Sequence, residues 1–437
     1  MARQLDTRAA DFDAAFSEFL SEKRESAADV DAVVAAVIAD VRTRGDEALC
    51  EYTARWDRIE LAPGRLRITP GEIAAACDAA PVAAVAALEI AADRIRAYHE
   101  GQRPKDESVR DGAGVVLGVR WTPIASVGIY VPGGTAAYPS SVLMNALPAR
   151  IAGVDRLVMA VPTPNGELNP LVLAAARLAG VDEIYRVGGA QAVAALAFGT
   201  ATIAAVDKIA GPGNAYVAAA KRQVFGRVGI DSIAGPSEIL VVADAECDPE
   251  WIAADLLAQA EHDTVAQSIL MTDDAGFAAA VAGAVERRLE NLDRSEIARA
   301  SWRDFGAIIT LASLDQAPAL IDRIAPEHLA LAVTKPDSLM AKVRNAGAIF
   351  LGRHTPEAIG DYIAGPNHVL PTARSARFAS GLSVLDFVKR TSVVQCDAAS
   401  LQKVGPAAVT LAEAEGLGAH ALSVSLRLPA KKPRRMP

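Results

Sequence analysis

Sulfur and aromatic groups are scarce in this chain. Its 437 residues include four cysteines, Cys50, Cys77, Cys247 and Cys396, far apart and never in a CxxC pair. That spacing excludes a disulfide framework and a thiolate zinc site. Such cysteines serve as small buried apolar residues. Aromatics make up 5% of the sequence, and much of the 51% hydrophobic content is alanine. Helices packed closely on sheets are expected, not an aromatic-lined groove. Positive charge is also short. The formal net charge is −9 and the pI is near 5.3, which argues against a nucleic-acid partner, because phosphate binding needs a dense basic face. The one basic cluster, Lys431-Lys432-Pro433-Arg434-Arg435, reads as a solvated tail. No apolar run reaches the roughly 18 residues that a spanning helix needs. The first six residues hold no apolar core for export. A cytoplasmic protein with no membrane partner is expected. A GxxxxGK[ST] loop is missing too, so ATP hydrolysis is not expected.

What is present is a long, ordered alternation. A chain of 437 residues exceeds one core and predicts two to three domains. Residues 11–23 read as a short helical arm. Residues 28–56 and 70–100 read as long alanine-rich helices with apolar residues at three- and four-residue spacing. Strands are predicted at 126–131, 156–161, 183–187 and 206–210, alternating with helices at 140–152, 169–178, 190–197 and 214–225. A second run places strands at 239–243, 267–272, 307–311 and 348–351. This alternation implies parallel sheets covered by helices. The fold class is α/β: two doubly wound Rossmann-like domains, a helical N-terminal arm and a small C-terminal element. The boundaries are 1–25 for the arm, 26–124 with 236–380 for the first domain, 125–235 for a second, inserted domain, and 381–437 for the C-terminal element.

Polar residues of metal-binding type are scattered through the second half. Gln259 and His262 stand at i, i+3, one turn apart on a predicted helix face. Asp361 follows Gly360, and His420 lies in a small-residue segment. Each has an ordinary alternative, as a cap or a satisfied surface group. Together they offer two nitrogens and two oxygens, a set that suits Zn²⁺ or Mn²⁺ with room for further ligands. Glu327-His328 follows Pro326. Histidine titrates near neutrality and suits a general base; the glutamate can activate water. To serve one site the pair must sit in a turn or at an element end, since neighbours on a strand point apart. The competing reading is a helix start with Glu327 in its first turn. Three glycine-rich loops each follow a predicted strand and open a helix: Val131-Pro132-Gly133-Gly134, Val187-Gly188-Gly189-Ala190-Gln191 and Ala210-Gly211-Pro212-Gly213-Asn214. Nucleotides sit at such loops in open α/β sheets. None is a full GxGxxG, since Tyr216 stands where the last glycine of the third would be.

Longer motifs carry a resemblance. Pro139 to Ala146, Ile230-Asp231 with Ala234-Gly235-Pro236-Ser237-Glu238, Ala254 to His262, Ala325 to Leu329, Gly365 to Thr372, and Glu415-Gly416-Leu417 with Ala419-His420 are similar, in order and spacing, to the histidinol dehydrogenase family over residues 25–428. The resemblance implies a homodimer, one zinc per subunit and two NAD⁺ per turnover. L-histidinol would be oxidised to L-histidine through the aldehyde. It assigns the metal to Gln259, His262, Asp361 and His420, the last from the partner subunit. It assigns substrate contacts to Ser237, Gln259, His262, His328, Asp361, Glu415 and His420, and catalysis to Glu327 and His328. Tyr130, Gln191 and Asn214 match the NAD positions, on or beside the glycine loops. The 125–235 domain would then carry NAD, the first domain the metal and catalytic residues, and 381–437 the dimer contact. Three other readings compete: a related dehydrogenase of another polar alcohol such as a sulfonated diol, a zinc hydrolase using Glu327 without NAD⁺, and a catalytically silent binding protein.

Overall fold

Continuous apolar runs dominate the strands, and they dictate where each strand lies. The computed structural model describes residues 2–21, 28–133, 138–233 and 235–429. The strands, in chain order, are β1 (Arg3–Asp6), β2 (Glu107–Arg110), β3 (Val116–Pro123), β4 (Ser126–Tyr130), β5 (Arg156–Ala160), β6 (Glu183–Tyr185), β7 (Lys208–Ala210), β8 (Gly229–Ile230), β9 (Glu238–Ala243), β10 (Gln267–Thr272), β11 (Ala307–Thr310), β12 (His328–Ala332), β13 (Ala348–Leu351) and β14 (Val388–Gln395). The chain divides into two compact units, Met1–Gln102 with Ile124–Phe387, and Arg103–Pro123 with Val388–Pro437.

The first unit holds two parallel sheets. One has six strands in the order β1-β11-β10-β9-β12-β13, the other five in the order β6-β5-β4-β7-β8. Every residue of β9 and β12 is buried, as a strand covered by helices on both faces must be. In the first sheet the chain steps outward from β9 through β10 and β11, then reverses to β12 and β13. In the second it steps from β4 through β5 and β6, then reverses to β7 and β8. The α/β class with doubly wound parallel sheets is therefore present.

Packing groups the N-terminal helices with the five-stranded sheet. Helices Ala28–Arg44 and Asp46–Asp57 lie against Gly189–Phe198; Pro70–Ala79 lies against Pro170–Leu178, and Val82–Glu100 against Pro139–Ala152. Val34, Leu49 and Leu66 share one core with Val158, Val193 and Ile209. Each long helix predicted over 28–56 and 70–100 is interrupted. The first breaks at Gly45, whose φ is +57°, and the second between Ala79 and Val82, where Pro81 is the N-cap. The segment read as a helical arm is a helix only over Phe12–Ser21, and β1 precedes it, pairing in parallel with β11. Four residues are too few for period-2 patterning to register. The rest of that arm, through Lys23, lies outside the described residues, as does the basic tail.

The second unit is an antiparallel sheet ordered β14-β3-β2, with helices Ala398–Ala414 and Gly418–Ser425 packed on each other. Its sheet escaped prediction because β14 mixes Lys389 and Arg390 with Val393 and Val394, all exposed.

Candidate active site

Two glutamates, a histidine and an aspartate meet at the amino edge of the six-stranded sheet. Ala325 ends helix Ala317–Ile324 in the left-handed region, with φ +49°. Pro326 follows, and β12 begins at His328. The pair thus sits at a strand start and not in a helical first turn. Glu327 Oε2 accepts from the Glu238 N–H at 2.9 Å, across to the first residue of β9. His328 Nδ1–H donates to the Glu238 carbonyl at 3.0 Å. With Nδ1 so engaged, the neutral ring carries its lone pair on Nε2. Nε2 makes no hydrogen bond and faces Asp361 Oδ1 at 3.6 Å.

Glu357 completes the arrangement, with Oε1 3.3 Å from His328 Nδ1. It opens the helix Glu357–Tyr362, and Asp361 lies one turn later on the same face. Gly360 lets that helix close on β13, since a Cβ there would overlap the Phe350 ring. His328, Glu357 and Asp361 bring one ligand-type atom each within 4.8 Å of one another. Gln259 ends the helix Pro249–Ala260, fully buried, and neither of its amide atoms has a partner. The helix stops before His262, whose N–H closes the turn onto the Gln259 carbonyl at 3.2 Å. The predicted common helix face is therefore a helix end, because Glu261 already caps it. His262 keeps an exposed edge, but its ring lies among Asp361, His328, Arg294 and His368 and is largely shielded from water.

Burial and charge set the proton affinities. Burial pushes the Glu327 carboxyl up to about 7, against the pull of His328. Burial also lifts Glu357 to about 8. Burial disfavours the His328 imidazolium, but Glu357, Glu327 and Asp361 outweigh it and hold its pKa well above the ordinary value. Burial opposes the ionisation of Asp361 as well; His328, with His368 and His262, overcomes it and keeps this carboxyl low. Burial lowers His262 and His368. Carboxyls of unlike affinity around one imidazole are a recurrent sign of proton-transfer sites. His368 Nδ1–H donates to the Asp361 carbonyl at 3.0 Å, and its Nε2 meets Ser141 Oγ at 3.1 Å. Ser141 belongs to helix Pro139–Ala152, beside the five-stranded sheet.

The remaining expected residues divide. Ser237 immediately precedes β9 and is half-buried. Glu415 and His420 belong to the second unit, where both are exposed. Tyr130 ends β4, and its hydroxyl accepts from the Gly189 N–H at 3.0 Å. Gln191 is buried with Oε1 unpartnered. Asn214 caps helix Ala215–Val224, its Oδ1 accepting from Tyr216 N at 3.1 Å and Val217 N at 3.2 Å. These three stand at the carboxyl edge of the five-stranded sheet, beside the glycine loops. Gly211 has φ +112°, and a Cβ there would overlap the Tyr130 carbonyl. Its N–H donates to Asp231 Oδ2 at 2.8 Å and its carbonyl accepts from Lys221 Nζ at 3.0 Å, while Lys221 and Asp231 form a buried ion pair. Gly134 of the first loop and Ala234 lie outside the described residues.

Glu238 and Glu357 are the members that sequence reading missed. Glu357 did leave a signal, its i, i+4 relation to Asp361. Glu238 appeared only as a motif letter.

The comparisons with known proteins agree on one family. The family model described as histidinol dehydrogenase matches residues 20–428. The chain is 63% identical over 428 residues to the histidinol dehydrogenase of Ruegeria pomeroyi, covering 98% of this chain and 99% of that one. It is 65% identical over 429 residues to that of Rhodospirillum rubrum, again covering 98% and 99%. Among solved structures, histidinol dehydrogenase from Elizabethkingia anophelis matches with a TM-score of 0.93 at 36% identity, covering 98% of each chain.

Proposed function

The chain belongs to the histidinol dehydrogenase family, NAD-dependent oxidoreductases of the last steps of histidine biosynthesis, and from that premise we propose how its residues divide the work. The overall reaction takes L-histidinol to L-histidine. Alcohol to acid is a four-electron oxidation, so it consumes two NAD⁺, each of which takes up one hydride. His328, once deprotonated, removes the hydroxyl proton through Nε2 while Glu238 and Glu357 hold the other side of its ring. The carboxyls that favour its protonated form also make the neutral ring a strong base. Glu327, raised by burial toward neutrality, takes a proton from the water that adds to the aldehyde. His328 returns its first proton to the carbonyl oxygen as the hydrate forms, and then accepts a proton from the hydrate as the second hydride leaves. Positioned bases of this kind contribute about 10²- to 10⁴-fold each.

Gln259, His262 and Asp361 would hold the family's zinc, one ion per subunit, with His420. The fit rests on Gln259, a fully buried amide whose oxygen and nitrogen lack partners, beside an acid held ionised. A bound zinc supplies a fixed anchor for the amine and imidazole nitrogens of the substrate. Ser237 and Glu415 join these residues in contacting substrate, and Tyr130, Gln191 and Asn214 receive NAD⁺. Glu415 and His420 come from a partner subunit in a homodimer. The second unit exposes Val394, Leu411 and Leu426 at 66%, 65% and 75%, apolar side chains that a partner of its own kind would cover. The reading places the enzyme in the cytoplasm; among the described residues no single helix is long and apolar enough to cross a membrane.

The observation that carries the proposal is the buried His328 imidazole with a free Nε2, set between three carboxylates. The test is a metal-replete assay with L-histidinol and NAD⁺. Two NADH and one histidine per histidinol are expected. One NADH per histidinol, with the aldehyde released, would overturn it. For the shared site, inactive His328→Ala and inactive His420→Ala subunits are mixed. Recovered activity is expected, and none after verified exchange would assign each site to one chain.

A further inference from the structure

Asp57 ends the helix Asp46–Asp57, outside both sheets, yet it reaches the carboxyl edge of the five-stranded one. Its Oδ2 accepts from the Thr163 N–H at 3.1 Å, three residues beyond the end of β5. The strand β5 neighbours β4, whose last residue is Tyr130. The negative charge of Asp57 is felt at the buried Tyr130 hydroxyl. Pro162, next to Thr163, packs where a Cβ on Gly188 would stand. Asp57 therefore lies at the same sheet edge as Tyr130, Gly188 and Gln191.

Its placement is costly for the fold. Asp57 is 7% exposed. It lies at the negative end of a helix, where an acid is disfavoured, and among the described residues no cationic side chain pairs with it. Burial pushes its pKa up, opposed only by the Thr163 amide. Beside it the Thr163 hydroxyl is buried without a partner, as is Gln191 Oε1 at the same sheet edge. A buried carboxylate with one hydrogen bond still has acceptor capacity for hydroxyl donors. In doubly wound nucleotide folds, an acid at the strand beside the first glycine loop takes the ribose hydroxyls and excludes a 2′-phosphate. Here none of the residues that follow β5 at 161–163 is acidic, and the carboxylate arrives from a helix about 100 residues earlier in the chain.

Resting on the cofactor-pocket reading above, we propose that Asp57 receives the ribose hydroxyls of the adenosine half of NAD⁺ and turns away the 2′-phosphate of NADP⁺. It is a specificity-determining residue that the glycine loops alone do not reveal.

The test measures kcat/KM with NAD⁺, NADP⁺ and 2′-deoxy-NAD⁺ at saturating histidinol. The unmutated enzyme should prefer NAD⁺ over NADP⁺ by at least about 100-fold, as expected of a carboxylate facing a phosphate dianion. Asp57→Asn should raise the KM for NAD⁺ about tenfold and shrink the NAD⁺ preference at least about tenfold, the size expected for a lost charged hydrogen bond. A role in folding alone would move both cofactors together, so an unchanged ratio would overturn the proposal. In the unmutated enzyme 2′-deoxy-NAD⁺ should show a similar rise in KM; equality with NAD⁺ would overturn it without any variant. Gln191→Ala separates the two levels. A raised KM there with an unmoved ratio in Asp57→Asn rejects Asp57 alone. An unchanged KM in Gln191→Ala rejects the pocket as well.

Discussion

The two parallel sheets of the first unit carry their chemistry at opposite ends. In the five-stranded sheet the glycine loops, Tyr130 and Gln191 stand at the carboxyl edge, where β4 and β7 part at the reversal of strand order. That is the usual crevice for a ligand in an open α/β sheet. In the six-stranded sheet the reversal lies between β9 and β12, but Glu238, Glu327 and His328 occupy their amino ends. Helix Pro249–Ala260 returns from the far edge and delivers Gln259 to this end. Helix Glu357–Tyr362 delivers Glu357 and Asp361 there too. Backbone geometry builds the first edge, with glycines making room. Side-chain burial builds the second, with Glu327 and Glu357 made basic by exclusion of water.

The contrast predicts separable kinetics. The largest effect belongs to the amino edge: His328→Ala should lower kcat about 10³-fold or more for both oxidations and leave the NAD⁺ KM within a few-fold. A raised KM with intact kcat in steady-state assays would erase the distinction. Next, Glu327→Gln should slow oxidation of supplied histidinal about 10²-fold while slowing the alcohol step less; equal losses in single-turnover measurements would remove its water-activating role. At the carboxyl edge, Gly211→Ala forces an overlap with the Tyr130 carbonyl. Strain of about 1–3 kcal/mol should appear as an NAD⁺ KM raised about tenfold, with kcat little changed. The smallest effect concerns stability. Burial opposes the ionisation of Glu72, but the Thr69 amide and Arg186 outweigh it and pull its pKa down to about 2. A lowered acid stabilises the fold above its unfolded pKa, near 4.5, and that support is lost as pH falls toward 2. Discounted for the partial exposure of Glu72, it is on the order of 1–2 kcal/mol. Denaturant melts at pH 7 and pH 3 should differ less in Glu72→Gln than in the parent. An equal difference would show that Glu72 does not contribute.

Much of the fold was legible because apolar runs and glycine turns are local. The strands predicted at 239–243, 267–272 and 348–351 match β9, β10 and β13 within a residue. The strand β12 was not seen because His328-Leu329-Ala330-Leu331-Ala332 carries no β-branched residue to distinguish it from a helix. The site was legible as a set of residue types and not as contacts. Glu327, His328 and Asp361 announced themselves beside proline and glycine. Their meeting depends on β9 and β12 lying side by side, 90 positions apart at the His328–Glu238 bond, which no local pattern encodes. Glu357 stayed hidden for the same reason, since its role depends on the partner it meets.

The strand β1 sets a condition on how the chain is made. Arg3 to Asp6 pair with Ala307 to Thr310, so β1 stays without its partner until some 300 further residues have been made. Until then β1 has no neighbour, and a strand edge left bare invites pairing between chains. Expression at high concentration therefore favours aggregation before completion.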